Sequence, residues 1–226
     1  MLQWIKANRG FVTFLMLFGL FRTAVADWNP IPSGSMHPNL LEGDVVLVNR
    51  LAYQIKVPLT DVVLGQTGEP QRGDVVTFSS PQDGTRMIKR LVAVPGDVVV
   101  MQDNRLFING QAAQYTDLGI ATERLDAGQH LAAQRLQETV LGTTRAVQWL
   151  PQVQGRSSFD AVTVPAGQYL MLGDNRDNSA DSRYIGLVPR ALLIGRAERV
   201  LVSADITDRW QPRWARLGLS LRPPTL

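Results

Sequence analysis

From Gly43 onward, apolar residues occur in short runs rich in valine. Turn residues separate them, and the spacing suits strands better than helices. The runs are Val45–Val48, Val75–Phe78, Met87–Val94, Val98–Met101, Leu106–Ile108, Val162–Val164, Tyr169–Leu172 and Arg199–Val202. Glu42-Gly43-Asp44, Arg72-Gly73-Asp74 and Pro95-Gly96-Asp97 each introduce a valine-rich run, so glycine and aspartate supply turn geometry there. The tripeptide at Asp74 reads as strand punctuation rather than as an integrin ligand. Residues 103–160 are richer in Gln, Ala, Thr and Arg, and predict a looser insertion with one short helix near Gln129–Thr139. The expected fold is all-β, a mostly antiparallel β-sheet core with an inserted polar subdomain, preceded by one N-terminal hydrophobic anchor helix.

That anchor comes from a different pattern. Lys6 and Arg9 precede an apolar run from Phe11 to Phe21, followed by Arg22 and Thr23-Ala24-Val25-Ala26. The run is short for a spanning helix, which needs about 20 residues. Arg22 could snorkel and let the helix continue to Ala26, and the basic start would hold the N-terminus in the cytoplasm. A basic start, an apolar run and Ala-Val-Ala also match a cleavable secretory signal. Either reading exports the remainder, and an uncleaved, single-pass anchor in the cytoplasmic (inner) membrane is the one carried forward. The units expected are 1–26 as anchor or signal-like segment, 27–102 and 161–205 as core, 103–160 as insertion, and 206–226 as a Trp/Arg-rich tail. The tail suits a membrane interface, or packs with its arginines solvated.

Composition removes several kinds of chemistry. The 226 residues include no cysteine, so disulfides, thiolate metal sites and cysteine nucleophiles are excluded. The net charge is +3, from 23 basic and 20 acidic residues. The arginines are scattered among acids rather than clustered, which argues against nucleic acid as a partner. Of the 23 basic residues only Lys6, Lys56 and Lys89 are lysine. Arginine stays charged, whereas a buried lysine can lose its proton.

The chemistry-bearing residues lie in three places. Ile31-Pro-Ser-Gly-Ser-Met-His-Pro-Asn-Leu40 exposes two hydroxyls, Ser33 and Ser35, around a glycine that lets the backbone bend. A serine hydroxyl needs a base. His37 is too close in sequence to serve Ser35, His130 sits in the insertion, and there is no third histidine. His37 therefore reads as a surface residue of the loop. Lys89 is the alternative, because strand alternation puts it on a face with Met87, Leu91 and Ala93. Burial there favours the neutral amine, and a fall of about 3 pKa units costs about 4 kcal/mol. The third stretch, Gly173-Asp-Asn-Arg-Asp-Asn-Ser-Ala-Asp-Ser-Arg-Tyr-Ile-Gly186, fails as a calcium loop because Arg176 takes a ligand position. It reads as an internally paired polar loop that could bring Ser179 to the amine of Lys89.

Four separated stretches together resemble bacterial type I signal peptidase: residues 31–50, Arg72–Phe78, Met87–Asp97 and Gly173–Pro189. The resemblance implies a Ser-Lys dyad, with Ser35 as nucleophile and Lys89 as general base. It implies an oxyanion hole from the Ser33 hydroxyl and the Ser35 backbone N–H. Ser179 matches a serine that bonds the lysine, Asp181 and Arg183 a supporting ion pair, and Gly173 opens that motif. Pro32, Ile88 and Ala180, adjacent to these positions, are expected as substrate-pocket walls. The family implies removal of signal peptides from exported preproteins on the extracytoplasmic side of the membrane. Preprotein signal peptides and membrane lipid are the expected partners, with the secretion machinery as a further one and nucleic acid excluded. Neither metal nor organic cofactor is required.

Two alternatives stand beside it. A conjugation- or pilin-type processing peptidase shares the dyad, and a membrane-tethered, non-enzymatic β binding module would leave Ser33, Ser35 and Ser179 as ordinary hydroxyls. Self-cleavage of the phage-repressor kind is disfavoured, since both Ala-Gly pairs, at Ala127 and Ala166, follow Ser35.

Overall fold

The computed structural model describes residues 2–58, 60, 62–125, 129–206 and 208–222. The Ala127–Gly128 pair lies outside them. Four antiparallel sheets account for nearly half of these residues. The largest runs Ala26–Pro30, Asp44–Asn49, Leu193–Asp205, Val75–Ser79, Arg86–Ala93, Gln168–Leu172, Val188–Pro189, and Gln211–Pro212 also pairs with Leu193–Asp205. Distant parts of the sequence meet in it where Leu193–Asp205 lies between Asp44–Asn49 and Val75–Ser79 and where Arg86–Ala93 pairs with Gln168–Leu172, which buries several valine-rich runs against one another. Arg86 at the start of its strand donates to Asp27 and Asn29, both at 3.1 Å, so the first strand lies close to the fifth in that order.

The three Gly-Asp turns are built alike. Gly43, Gly73 and Gly96 have φ of 85°, 93° and 89°, a region that glycine enters without steric cost. Each following aspartate accepts from a backbone N–H three residues back: Asp44 from Leu41 at 2.8 Å, Asp74 from Gln71 at 3.0 Å and Asp97 from Val94 at 2.8 Å. The same repeat therefore starts three strands by one mechanism.

Residues 103–160 are more ordered than their composition suggests. His130–Val140, which covers nearly all of the expected helix, is the central strand of a three-stranded sheet with Gln114–Arg124 and Thr143–Trp149. Ala133, Leu136, Glu138 and Val140 are buried, which overrode a weak helical propensity through cross-strand packing. A four-stranded sheet joins Phe159–Thr163, Val98–Gln102, Arg105–Ile108 and Gln111–Ala112.

Ahead of the sheets lie the helices Leu2–Ala7 and Arg9–Ala24. The second has 16 residues, about 24 Å at 1.5 Å per residue, against about 30 Å of bilayer hydrocarbon. Among the described residues no helix is long and apolar enough to cross a membrane, so the single spanning helix expected from the sequence is not found. Asn8, at φ −109° and ψ 25°, interrupts the helical run. At the other end Arg22 does not extend the span; it pairs with Asp27 at 3.1 Å and stacks over Trp28. The helix leaves Phe11, Phe14, Leu15, Met16, Leu17, Phe18, Leu20 and Phe21 exposed. In the tail Trp210 and Trp214 are exposed, but Arg216 pairs with Asp44 at 2.5 Å and Leu221 is buried in the core. The tail is thus tied to the body at Arg213, Arg216 and Leu221, the two arginines bonding to Ala204 O and Asp44, while most of its other described residues stay exposed.

The three-stranded sheet is fastened to the large one through buried charge. Glu138 pairs with Arg145 and, at 2.7 Å, with Arg176, and it accepts from Tyr115 at 2.7 Å. Burial pushes its carboxyl up, but the two guanidinium groups prevail and hold it at about 2. Glu138→Ala is expected to cost about 3–5 kcal/mol, because two arginines remain buried without their carboxylate; the urea midpoint measures it. In the wild type this stabilisation is intact above pH 4.5 and lost as pH falls towards 2.

Candidate active site

The serine loop connects the first two strands. Gly34–Met36 form one 3-10 turn, closed by the His37 N–H donating to Gly34 O at 3.0 Å. Met36 and Leu40 are fully buried among Ile31, Val46, Val48, Val75 and Val200. These apolar anchors fix the turn to the sheet and leave Ser33 and Pro32 exposed, with Ser35 only 9% accessible.

Lys89 lies on Arg86–Ala93, opposite Val76. Met87 and Leu91 pack in one cluster with Val76 and Phe78, as alternation requires. Ala93 joins the other cluster with Val92, because the register across from Leu170 and Met171 skips Val92. The amine is buried. Its Nζ is 2.7 Å from Ser35 Oγ and 3.0 Å from Ile88 O. Burial lowers its pKa to about 8, and Asp181 and Asp174 pull weakly the other way.

The polar loop after Leu172 holds this pair from the far side. The Asn175 N–H donates to Ser35 O at 3.2 Å, and its Nδ2 to Gly34 O at 3.0 Å. Asp174 takes both the Nε and an Nη of Arg90, at 2.8 and 2.7 Å, and accepts from Asn39 Nδ2 at 2.7 Å. Asp181 and Arg183 form a buried bidentate pair, 2.8 Å at each bond, and Asp181 also accepts the Gly173 N–H at 2.9 Å. Ser33 Oγ is 3.4 Å from Ser35 Oγ. Ser179 Oγ is buried and has no hydrogen-bond partner among the described residues, so the expected bond to Lys89 is not made here. It packs on Gly173, where an added Cβ would lie 2.2 Å from Ser179 Oγ and 2.6 Å from Ser35 O.

Beside the pair runs a groove of about 350 Å³, lined by Trp28, Pro30, Pro32, Thr77, Met87 and Ile88 among others. Pro32 and Ile88 are thus on its wall, whereas Ala180 is exposed and not among its lining residues. His37 is not a surface residue: it is buried, 2.7 Å from both Glu42 and Glu123. Glu123 lies 86 positions away in sequence. That spacing left no signal to find it, nor to pair Arg90 with Asp174.

Comparison with known proteins gives this geometry its context. The family pattern described as signal peptidase, peptidase S26, matches residues 1–202. The chain belongs to the signal peptidase family. It is 36% identical to a signal peptidase I of Pseudomonas fluorescens, over 95% of this chain and 78% of that protein. It is 34% identical, with the same coverage, to the enzyme of Pseudomonas aeruginosa. A crystal structure of signal peptidase I from Enterococcus faecalis V583 shares 32% identity, over 57% of this chain and 96% of that one, at a TM-score of 0.34. This member of the family is a serine endopeptidase that removes signal peptides, and its substrates are preproteins carrying them.

In this peptidase, Gly173→Ala is expected to push on the Ser35 carbonyl. A misplacement near 1 Å costs an enzyme about 100-fold, so preprotein kcat/KM should fall on that order while far-UV circular dichroism stays that of a folded protein.

Proposed function

We propose that Ser35 is the nucleophile and Lys89 the general base of signal-peptide removal, through an acyl-enzyme. The single observation that carries this reading is a buried amine 2.7 Å from a serine hydroxyl. With its pKa near 8, roughly one Lys89 in ten is the free base at pH 7. That amine takes the Ser35 proton while Oγ attacks the carbonyl carbon of the scissile bond. The ammonium then returns the proton to the leaving nitrogen as the C–N bond breaks. In the second half the amine deprotonates water, which attacks the ester and frees Ser35.

The remaining roles follow the same reading. The Ser35 backbone N–H and the Ser33 hydroxyl donate to the oxyanion, a contribution of about 3 kcal/mol. Ser179 turns to orient the Lys89 amine, with the Asp181–Arg183 pair holding the loop from Gly173 in place. The signal peptide lies extended along the groove, bonded main chain to main chain. Pro32 and Ile88 limit the side chains admitted near the cut, and Ala180 borders the site farther out. The exposed apolar helix Arg9–Ala24 holds the catalytic sheets at the extracytoplasmic surface of the cytoplasmic membrane, in contact with lipid and within reach of the secretion machinery.

Ser35→Ala, Lys89→Ala and Lys89→Arg should each reduce preprotein cleavage to background in folded protein, arginine failing because guanidinium is no base near neutrality. Full activity in a folded Lys89→Ala enzyme overturns the assignment. In the wild type, kcat/KM should rise with pH through about 8 as the amine loses its proton. The same shift has a stability consequence. The folded state disfavours the ammonium, so below pH 8 burial costs about 3 kcal/mol, and the cost fades as pH rises to 10.5. Lys89→Met should therefore be inactive yet more stable than the wild type at pH 6, by about 1–3 kcal/mol in urea denaturation.

A further inference from the structure

The proposed chemistry leaves one buried titratable group of the serine turn unused. His37 stands two residues after Ser35, with Nδ1 2.7 Å from Glu123 Oε1 and Nε2 2.7 Å from Glu42 Oε2. A ring placed between two carboxylates serves both only when both nitrogens carry hydrogen, that is, as imidazolium. Burial opposes that charge, but the bonds to Glu123 and Glu42 overcome it and raise the pKa to about 9.

The contacts continue from the ring to the nucleophile. Glu123 Oε1 also accepts from Asn175 Nδ2 at 3.2 Å, and the same amide donates to Gly34 O at 3.0 Å. The Asn175 N–H donates to Ser35 O. The packing at the turn is close: an added Cβ on Gly34 would lie 3.0 Å from Glu42 Oε1, 3.2 Å from Glu123 Oε1 and 3.3 Å from His37 Cε1. Four segments thus meet at one turn: the turn itself, Glu42 before the second strand, Glu123 from Gln114–Arg124 of the three-stranded sheet, and Asn175 from the polar loop.

We propose that His37, tied to Glu42 and Glu123, is a positioning residue that holds the Gly34–Met36 turn so that Ser35 Oγ stays against Lys89. The three-stranded sheet acts on the reaction through Glu123. This inference rests on the Ser35–Lys89 reading. The groove that receives substrate is built from other residues, so loss of His37 should act on kcat and leave KM nearly unchanged.

The arrangement also carries a pH signature. The charged groups around the ring are Glu42 and Glu123 in contact, Arg213 near Glu42, and Arg124, Arg135 and Asp205 lining the adjoining cavity. Above about pH 9 the ring keeps one hydrogen, so one carboxylate loses its donor and the turn loosens. The alkaline fall in kcat thus reports His37, while the rise through about 8 reports Lys89. Glu123→Gln removes one carboxylate facing the ring, lowers the pKa of His37, and should move the alkaline limb to lower pH.

The test is the pH dependence of kcat and KM for cleavage of a purified preprotein by the full chain, in wild type, His37→Met, His37→Gln, Glu123→Gln and Ser35→Ala. The expected result in His37→Met is a kcat lowered about 10-fold or more, KM within about 2-fold, and no alkaline limb. His37→Gln, which can still donate to one carboxylate, should recover part of the loss. Wild-type kcat in folded His37→Met overturns the proposal. Should His37→Met fail to fold, Glu123→Gln decides: a shifted alkaline limb supports the proposal and an unshifted one overturns it. Ser35→Ala separates the two readings. Activity there removes the dyad itself, whereas an inactive Ser35→Ala beside a fully active His37→Met removes only the role of His37.

Discussion

Keeping an amine both buried and within reach of a hydroxyl is a demanding arrangement. Water stabilises ammonium so strongly that a lysine normally stays charged, and excluding water from one destabilises the fold that does so. This chain does it at Lys89 with a strand that has strands on both sides and a serine turn closing over the amine. The carboxylates able to undo the effect, Asp174 and Asp181, are each engaged by an arginine of their own, Arg90 and Arg183. The acids can therefore lie near the amine without restoring its proton fully.

That requirement explains the amount of buried charge around the site. Arg90–Asp174, Arg183–Asp181 and Glu138 with Arg145 and Arg176 are all nearly inaccessible. Such pairs add little net stability compared with apolar packing, but breaking one is expensive, so they fix geometry. Here they join the loop after Leu172 to the lysine strand on one side and to the three-stranded sheet on the other. The sheet's last strand adds a main-chain connection, with Gln148 N–H donating to Asp174 O at 2.8 Å and Arg176 N–H to Gln148 O at 2.9 Å. Residues that looked like a loose insertion are thereby part of what holds the turn at Ser35 in place.

How much of this was legible in the sequence differs by element. The valine-rich strands were, since strand alternation and Gly-Asp turns are local and each of the three turns uses the same aspartate bond. Residues 130–140 were not, because their propensity is indifferent and only pairing with two neighbouring strands makes them extended. The anchor was legible as apolar but not as a span, since its length depends on the interruption at Asn8 and on the helix ending at Ala24. His37 was misjudged for a similar reason: a histidine in a polar loop looks exposed until its two glutamates are placed around it.

The sequence by itself determined the kinds of chemistry open to this protein. The absence of cysteine removed thiol chemistry on residue type alone, local period placed Lys89 within an apolar β-type run, and the resemblance of four separated stretches to the signal peptidase family implied its pairing with Ser35. Only the tertiary structure decided that Ser35 and Lys89 meet, that Ser179 hydroxyl packs on Gly173 without a bond, and that Glu123 reaches the serine turn. The Ser35–Lys89 and His37–Glu123 contacts join residues 54 and 86 positions apart, and local propensity carries no information about which distant side chain will fill a given space.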